Sequence, residues 1–299
     1  MNFLENVLEE KNKIEEIIKR YGYAPEHNFW WYCFNGDKDS KNVFVESGGA
    51  GLFTIEERDK KQVYVFSSPI APAERRCSIL FKYLEEIFKT GIEKVIFELE
   101  SPLYKEFTKN LPQQFRARTI NYTLTWPIYN LEEFDASLAG GSWKTLRKAK
   151  NKFYQNNVVT IEDAKTFKYK QALLDIIKQW KKNRGAKDRS HFSPYMNLIN
   201  ANFQGTCEAR VMLANGKVVG LNAGWMIENS NTYYGAIGIH NYSLPDLGDV
   251  LYLEDLLWLK QKGYKQADMG GGEKALTEFK NKFHPVAHYK THIFSVVKQ

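Results

Sequence analysis

The 299-residue sequence predicts an α/β (α+β) protein of two tandem domains on one plan, each a mixed, largely antiparallel sheet flanked by helices. Three observations predict it. The length suits two domains of ordinary size, and 43% hydrophobic with 14% aromatic residues suffices for packed cores. The first half orders its elements as helix, several strands, helix, strand, helix, strand. The second half repeats that order without a residue-by-residue repeat, so a boundary falls near Glu132 to Gly141 and divides the chain into 1–135 and 136–299.

In the first half, Leu4, Val7, Leu8, Ile14, Ile17 and Ile18 set a helical stripe from Phe3 to about Arg20, ended by Tyr21-Gly22-Tyr23. Four aromatic and β-branched runs then read as strands: FWWYCF (29–34), NVFVES (42–47), GLFTIEE (51–57) and QVYVFSS (62–68). Asn35-Gly36 and the Arg58–Lys61 cluster read as their turns, giving an antiparallel meander. After Pro69 and Pro72, the spacing of Leu80, Tyr83, Leu84, Ile87 and Phe88 predicts a helix over Glu74 to Thr90, capped by Gly91. KVIFELE (94–100) is a strand, SPLYKEFTKNL a short helix opened by Ser-Pro, and YTLTW (122–126) a further strand.

The second half starts with helices over 142–155 and 169–183, the latter with Leu173, Leu174, Ile177 and Trp180 on one apolar stripe. Residues 209–214, the Asn215-Gly216 turn, 217–227 and 232–239 form a second meander. A helix begins at Asp249 and ends near Gly263. QADM is then a strand, KALTEFKNKF a helix and HYKTHIFSVV a last strand.

Composition excludes several classes. No run approaches the ~18 apolar residues of a membrane span, and residues 1–20 are charged throughout instead of carrying a leader's apolar stretch. A soluble, cytoplasmic protein is the expectation. Cys33, Cys77 and Cys207 lie too far apart for a CxxC site or a disulfide framework and read as reduced core thiols. His284, His288 and His292 have a ligand-like spacing for a helix, but Pro285 and the strand pattern argue against zinc. No metal is expected.

The net charge of +7 is unevenly spread: residues 1–135 carry 18 basic against 22 acidic residues, and 136–299 carry 24 against 13. Between Ser142 and Arg189 the count is 14 against 4, a local field that attracts phosphates or anionic surfaces. A solvated helix face is the plain alternative. Lys144, Arg147, Lys148 and Lys150 cluster within about two turns, with Trp143, Leu146 and Phe153 available to bury the opposite side. KKNRGAKDR (181–189) adds to the same field.

The stretch ADMGGGEKALTEFKNKFHP (267–285) concentrates the remaining signals. Gly270, Gly271 and Gly272 predict a tight strand-to-helix turn, or backbone N–H groups offered to an anion. Phe279 and Phe283 at i and i+4 would anchor one helix face and aim Lys280 sideways, the alternative being an exposed surface lysine.

Together with SWKTLRKAKNKFYQNNV (142–158) and TYYGAIG (232–238), this stretch resembles the FemABX family of aminoacyl-tRNA-dependent transferases and the related phosphatidylglycerol lysyltransferase C-terminal domain. The element order is similar to that of the GNAT acyltransferase fold, here in two copies. The likeness covers about the C-terminal half, and the N-terminal half matches by element order alone. It implies an aminoacyltransferase that takes its acyl group from charged tRNA, with the site in the 136–299 half and the acceptor held partly by the 1–135 half. It also implies a functional lysine at Lys280, to meet the donor's phosphates or the developing oxyanion.

Acyl transfer needs a neutral nucleophile, a stabilised oxyanion and held phosphates. Lys280, Asp268 and Tyr234 are the catalytic candidates, with Glu254 a further carboxylate, and substrate binding would fall to Lys144, Arg147, Lys148, Gly270, Gly271, Gly272, Phe279 and Phe283. A lysine-paired core-edge carboxylate is the alternative for Asp268 and Glu254, and a buried ring with a satisfied hydroxyl for Tyr234. No nucleophile stands beside a base, so direct attack without a covalent enzyme intermediate is expected. No resident cofactor is expected, aminoacyl-tRNA or acyl-CoA serving as co-substrate. Acetyl-CoA enzymes of the GNAT class carry a glycine-rich pyrophosphate loop; IHNYSLPDLGDV (239–250) instead has one glycine and Asp246 and Asp249, which disfavours acyl-CoA. An acyl-CoA or acyl-carrier-protein N-acyltransferase and a non-catalytic RNA-binding relative are the alternatives. The acceptor stays open among peptides, lipid headgroups and metabolites.

Overall fold

The computed structural model describes residues 1–36, 39–184 and 191–299. Its first half runs β1 (Asn2–Leu4), α1 (Lys11–Tyr21), α2 (Phe29–Phe34), β2 (Lys41–Ser47), β3 (Ala50–Glu57), β4 (Gln62–Val65), α3 (Arg76–Ile87), β5 (Lys94–Glu100), α4 (Ser101–Lys109), β6 (Phe115–Ala117) and β7 (Tyr122–Asn130). Then follow α5 (Lys144–Asn156), β8 (Val159–Asp163), α6 (Lys170–Arg184), α7 (Ser193–Asn200), β9 (Glu208–Ala214), β10 (Lys217–Met226), β11 (Thr232–His240), α8 (Leu247–Gln261), β12 (Gln266–Asp268), α9 (Lys274–Asn281) and β13 (Ala287–Lys298).

Two expectations fail at the N-terminus. Phe3 pairs with Val45, so residues 2–4 extend as an edge strand and the helix starts only at Lys11; Ile14, Ile17 and Ile18 stay buried while Leu8 is exposed. FWWYCF is a helix and not a strand. The Asn28 side chain accepts the Trp31 N–H at 2.9 Å as an N-terminal cap, and tertiary packing of four aromatic rings overrides their strand propensity. Asn35-Gly36 therefore follows a helix instead of turning a hairpin. The Arg58–Lys61 turn does join antiparallel β3 and β4, with Lys61 left-handed at φ 49°. Three elements escaped the sequence reading: β6 and β8 are short, and α7 lies in a region without a clear stripe.

Among the described residues the strands form one sheet in the order β1-β2-β3-β4-β5-β13-β7-β12-β11-β10-β9-β8, with β6 also on β13. Each half contributes an antiparallel meander ending in one parallel pair, β4 with β5 and β11 with β12. The closing strands cross over: β7 lies against β12, and β13, the last in the chain, inserts between β5 and β7. Helices α3 and α4 cover the first half's core, and α6 and α7 a core of the second. At the seam, Trp31, Trp126, Trp225, Ile227 and Tyr234 form a separate aromatic cluster, and Trp225 Nε1 donates to the Pro25 carbonyl at 2.8 Å.

A bulge in β10 at Gly224 bends the second meander against β11. A Cβ there would lie 2.0 Å from the Tyr234 carbonyl oxygen, a backbone atom that cannot swing aside. Gly224→Ala is expected to destabilise the fold by about 3 kcal/mol. Gly238→Ala, where a Cβ meets nothing within 4 Å, is expected to be near neutral. Urea midpoints of the two variants test the contrast.

Candidate active site

The parallel pairing of β11 with β12 lasts three residues, Thr232–Tyr234 against Gln266–Asp268. Beyond it β11 continues to His240 with β10 as its sole strand partner among the described residues, while the segment after β12 turns away at Gly270, left-handed at φ 80°. The strands splay, and the edge of β11 from Gly235 to His240 faces a cavity of about 440 Å³. This volume suits a small-molecule or acyl group. Residues of α6, α7, α8 and α9 line it, together with Trp126, Glu98 and Glu26.

The glycines make the turn for steric reasons. A Cβ on Gly271 would fall 2.5 Å from the Trp126 ring, and Gly272 forms a backbone bridge with Thr125. Two of their N–H groups are already engaged: Gly270 N–H donates to Asp268 Oδ1 at 2.9 Å and Gly272 N–H to the Thr125 carbonyl at 3.0 Å.

Lys280 lines the cavity yet is only 5% exposed. Its Nζ donates to the carbonyls of Met269 and Gly270, each at 2.6 Å, which leaves one of an ammonium's three donors. Burial pulls its pKa down to about 8, against the opposing charge of Asp268. The phenylalanines serve as expected: Phe283 is fully buried, Phe279 half-buried, and both rings pack on Tyr252, at 4.3 and 5.6 Å. Tyr252 in turn donates to the Tyr129 hydroxyl, which donates to the Lys280 carbonyl, both at 2.9 Å.

Asp268 stands one step back, 1% exposed and off the cavity wall. Its Oδ2 accepts the Tyr289 hydroxyl at 2.6 Å while Oδ1 holds the glycine turn, so it fixes the carbonyls on which Lys280 rests. Burial raises its pKa to about 6, opposed by those hydrogen bonds and by the Lys280 charge. Tyr234 lines the cavity with its ring against Trp126 and Trp225. Among the described residues its hydroxyl finds no hydrogen-bond partner, unlike the satisfied hydroxyl weighed from sequence.

The two glutamates of the cavity lining were not read from the sequence. Glu98 Oε1 accepts the Thr291 hydroxyl at 2.6 Å, and Thr291 accepts Trp126 Nε1 at 2.9 Å. Glu26, in the segment before α2, has no side-chain hydrogen bond or ion pair among the described residues. Burial raises both carboxyls above the usual range, and the charges of Glu98 and Asp268 raise Glu26 further. The one sequence signal was Glu98 itself, a carboxylate between Phe97 and Leu99 in β5.

The basic candidates of α5 lie elsewhere, whereas Arg184, from the 181–189 cluster, lines the cavity. Lys144, Arg147 and Lys148 line a surface groove on α5 with Asn151, Lys152 and Gln155. Arg147 also donates to the carbonyls of Leu138 and Gly140, which ties α5 to the preceding turn. Lys150 pairs with Glu254 at 2.9 Å, away from the cavity. Of 181–189, residues 185–189 lie outside the described residues. In the loop 239–250, Lys152 pairs with Asp246 at 3.3 Å, Lys282 with Asp249, and Gly248 packs on the His240 ring. His292 is held by Ser101 and Thr123, His288 by Asn281, and among the described residues no group is arranged for a metal ion.

Residues 17–293 match the family model described as phosphatidylglycerol lysyltransferase, C-terminal. Among solved structures, the C-terminal domain of a putative lysylphosphatidylglycerol synthetase from Agrobacterium fabrum is 16% identical over 97% of this chain and 92% of its own, with a TM-score of 0.69. L-PGS from Bacillus licheniformis is 16% identical over 96% and 91%, at 0.66. FemX is 11% identical over 97% of each chain, at 0.58. No curated protein matches in sequence. At these identities the structures establish the fold, a tandem GNAT-like architecture. No described helix is long and apolar enough to cross a membrane.

Proposed function

The chain belongs to the phosphatidylglycerol lysyltransferase C-terminal family, and from that premise we propose that it moves an aminoacyl group from charged tRNA to an amine or hydroxyl acceptor. The observation that carries this reading is the buried ammonium of Lys280, two donors fixed on backbone carbonyls and one left for the cavity. A buried donor of this kind suits an oxygen on which charge develops during reaction, because no reorganisation is needed when the charge appears. A phosphate, which carries full charge throughout and needs several donors, suits the exposed α5 groove better.

The ester carbonyl would sit beside Lys280 in the wedge. The acceptor's nitrogen or oxygen attacks the carbonyl carbon, a C–N or C–O bond forms, the ester C–O bond to the ribose breaks, and the ribose oxygen takes up a proton as the acceptor loses one. Lys280 stabilises the intermediate oxyanion, and Asp268 and Tyr289 hold the turn that aims it. Asp246 and Asp249, with their partners Lys152 and Lys282, already occupy the helix terminus that a pyrophosphate would use, which favours tRNA over acyl-CoA.

The α5 groove would then carry the tRNA backbone. Lys144→Glu with Lys148→Glu is expected to weaken charged-tRNA binding about tenfold or more at low salt and to flatten its salt dependence. Filter binding across a salt series measures both. Equal affinity and slope in wild type and variant would remove this groove from the donor site.

A second reading rests on the free edge of β11. Its unpaired backbone suits an extended, amide-bearing arm of the kind carried by CoA and acyl carrier proteins. Binding of acetyl-CoA without binding of charged tRNA would favour it, and salt-sensitive RNA binding without turnover would favour a non-catalytic role.

A further inference from the structure

We propose that Asn222 is a specificity-determining residue of the cavity, whose side-chain oxygen accepts a hydrogen bond from a neutral N–H or O–H of a bound nucleoside. The nucleoside as carrier of that group deepens the transfer reading above, in which it is the terminal one of the donor. The hydrogen-bond acceptor in the cavity wall does not depend on that reading.

Asn222 lies on β10, is 5% exposed and lines the cavity. Its Nδ2 donates to the Leu251 carbonyl of α8 at 3.3 Å and to the buried carboxylate of Asp255, one turn further along that helix. Behind it, Asp255 Oδ1 stands 3.9 Å from Arg210 Nη1, and the same guanidinium donates to the Glu254 carbonyl at 3.1 Å. A carbonyl and a carboxylate both need a donor, so the amide cannot turn over without setting oxygen against oxygen. Oδ1 is thereby fixed away from them, buried and without a hydrogen-bond partner among the described residues. An acceptor left unmatched at this depth is costly, and a ligand's donor removes the cost.

The backbone leaves room for that donor. Asn222 pairs across the ladder with Gly238 of β11, so the two positions share one face of the sheet, and a Cβ on Gly238 would meet nothing within 4 Å. Gly220, two residues before Asn222 on the same face, is instead covered by the Leu251 side chain. The opening over Asn222 therefore lies at Gly238, which is exposed and lines the cavity.

The rest of the lining indicates what carries the donor. Trp180, with the Arg184 guanidinium 5.0 Å from its ring, and the edge-to-face pair of His240 and Tyr242 at 4.5 Å line the same cavity. Ring faces and a guanidinium plane are stacking surfaces for a nucleobase. An unmatched amide oxygen in a cavity with such surfaces reads the amino edge of a base or a hydroxyl of its sugar, and disfavours an analogue that lacks the donor.

The test uses the purified full chain and four nucleosides as probes: adenosine, purine riboside, which lacks the amino group, and 2′-deoxyadenosine and 3′-deoxyadenosine, which each lack one hydroxyl. Ligand-observed NMR titration gives their affinities. Adenosine is expected to bind about three- to tenfold more tightly than the analogue that lacks the donor Asn222 reads, and that preference is expected to vanish in Asn222→Ala. A general loss of stability would not move this ratio. Gly238→Val, its fold checked by circular dichroism, keeps Asn222 but fills the approach to it, and is expected to weaken adenosine binding about tenfold or more. No binding of adenosine, equal binding of all four nucleosides, a preference that survives in Asn222→Ala, or unchanged affinity in Gly238→Val overturns the role of Asn222. A preference lost in Asn222→Ala in a protein that never uses charged tRNA leaves that role standing and overturns the donor. Turnover with charged tRNA in a protein indifferent to the four nucleosides does the reverse.

Discussion

Lys280→Met is expected to lower turnover with charged tRNA by roughly 10²–10³-fold while leaving the chain folded. The size follows from the geometry: the prepositioned donor that Lys280 presents to the cavity is lost. The thermal midpoint is expected to fall, because the Met269 and Gly270 carbonyls and the buried Asp268 carboxyl lose their cationic partner, a loss only partly offset by removing a buried charge. Lys280→Arg is expected to fall between the two, since the planar fork keeps the charge but not the anchoring on two carbonyls 2.6 Å away. Single-turnover rates with melting curves separate the two effects. Full turnover in a folded Lys280→Met protein would end Lys280's catalytic role.

The second large effect is in the pH profile. The proposed active form holds Lys280 protonated and Asp268 ionised, with pKa values of about 8 and about 6. Turnover should rise as pH increases through about 6, because Asp268 gains its charge, and fall through about 8, because Lys280 loses its proton. Asp268→Asn is expected to remove the lower limb. It also moves the upper limb to lower pH, since the negative charge that favoured the Lys280 cation is gone. Its rate at the optimum should drop by about 10²-fold, because an amide cannot accept both the Tyr289 hydroxyl and the Gly270 N–H in the same way and the turn under Lys280 shifts. A positioning role predicts both the rate loss and the altered profile. An unchanged profile would detach Asp268 from the reaction.

Part of the site was legible because it is local. Gly270, Gly271, Gly272, Phe279, Lys280 and Phe283 lie within one turn and one helix, and the i, i+4 aromatics and the need for a sharp exit from β12 are written in consecutive residues. Lys144, Arg147 and Lys148 were legible as a basic face but not as distant from the cavity, because sequence spacing says nothing about which wall a helix covers. Glu26 was invisible: a glutamate between proline and histidine has no pattern, and only the fold brings it into the cavity lining. FWWYCF misled for a related reason, since a six-residue apolar run fits strand and helix alike and a cap at Asn28 decided between them.

The sequence by itself determined the order of most elements, both meanders, the glycine turn and the helix carrying Lys280, because each depends on short-range periodicity, turn chemistry and capping. Only the tertiary structure decided that β7 and β13 cross between the halves, that β11 and β12 part after three paired residues, and that Glu26 and Glu98 from one half line one cavity with Lys280 from the other. The physical reason is range. Periodicity fixes which face of an element is apolar, whereas strand neighbours, burial of charge and the meeting of side chains some 180 to 250 positions apart depend on how those faces pack.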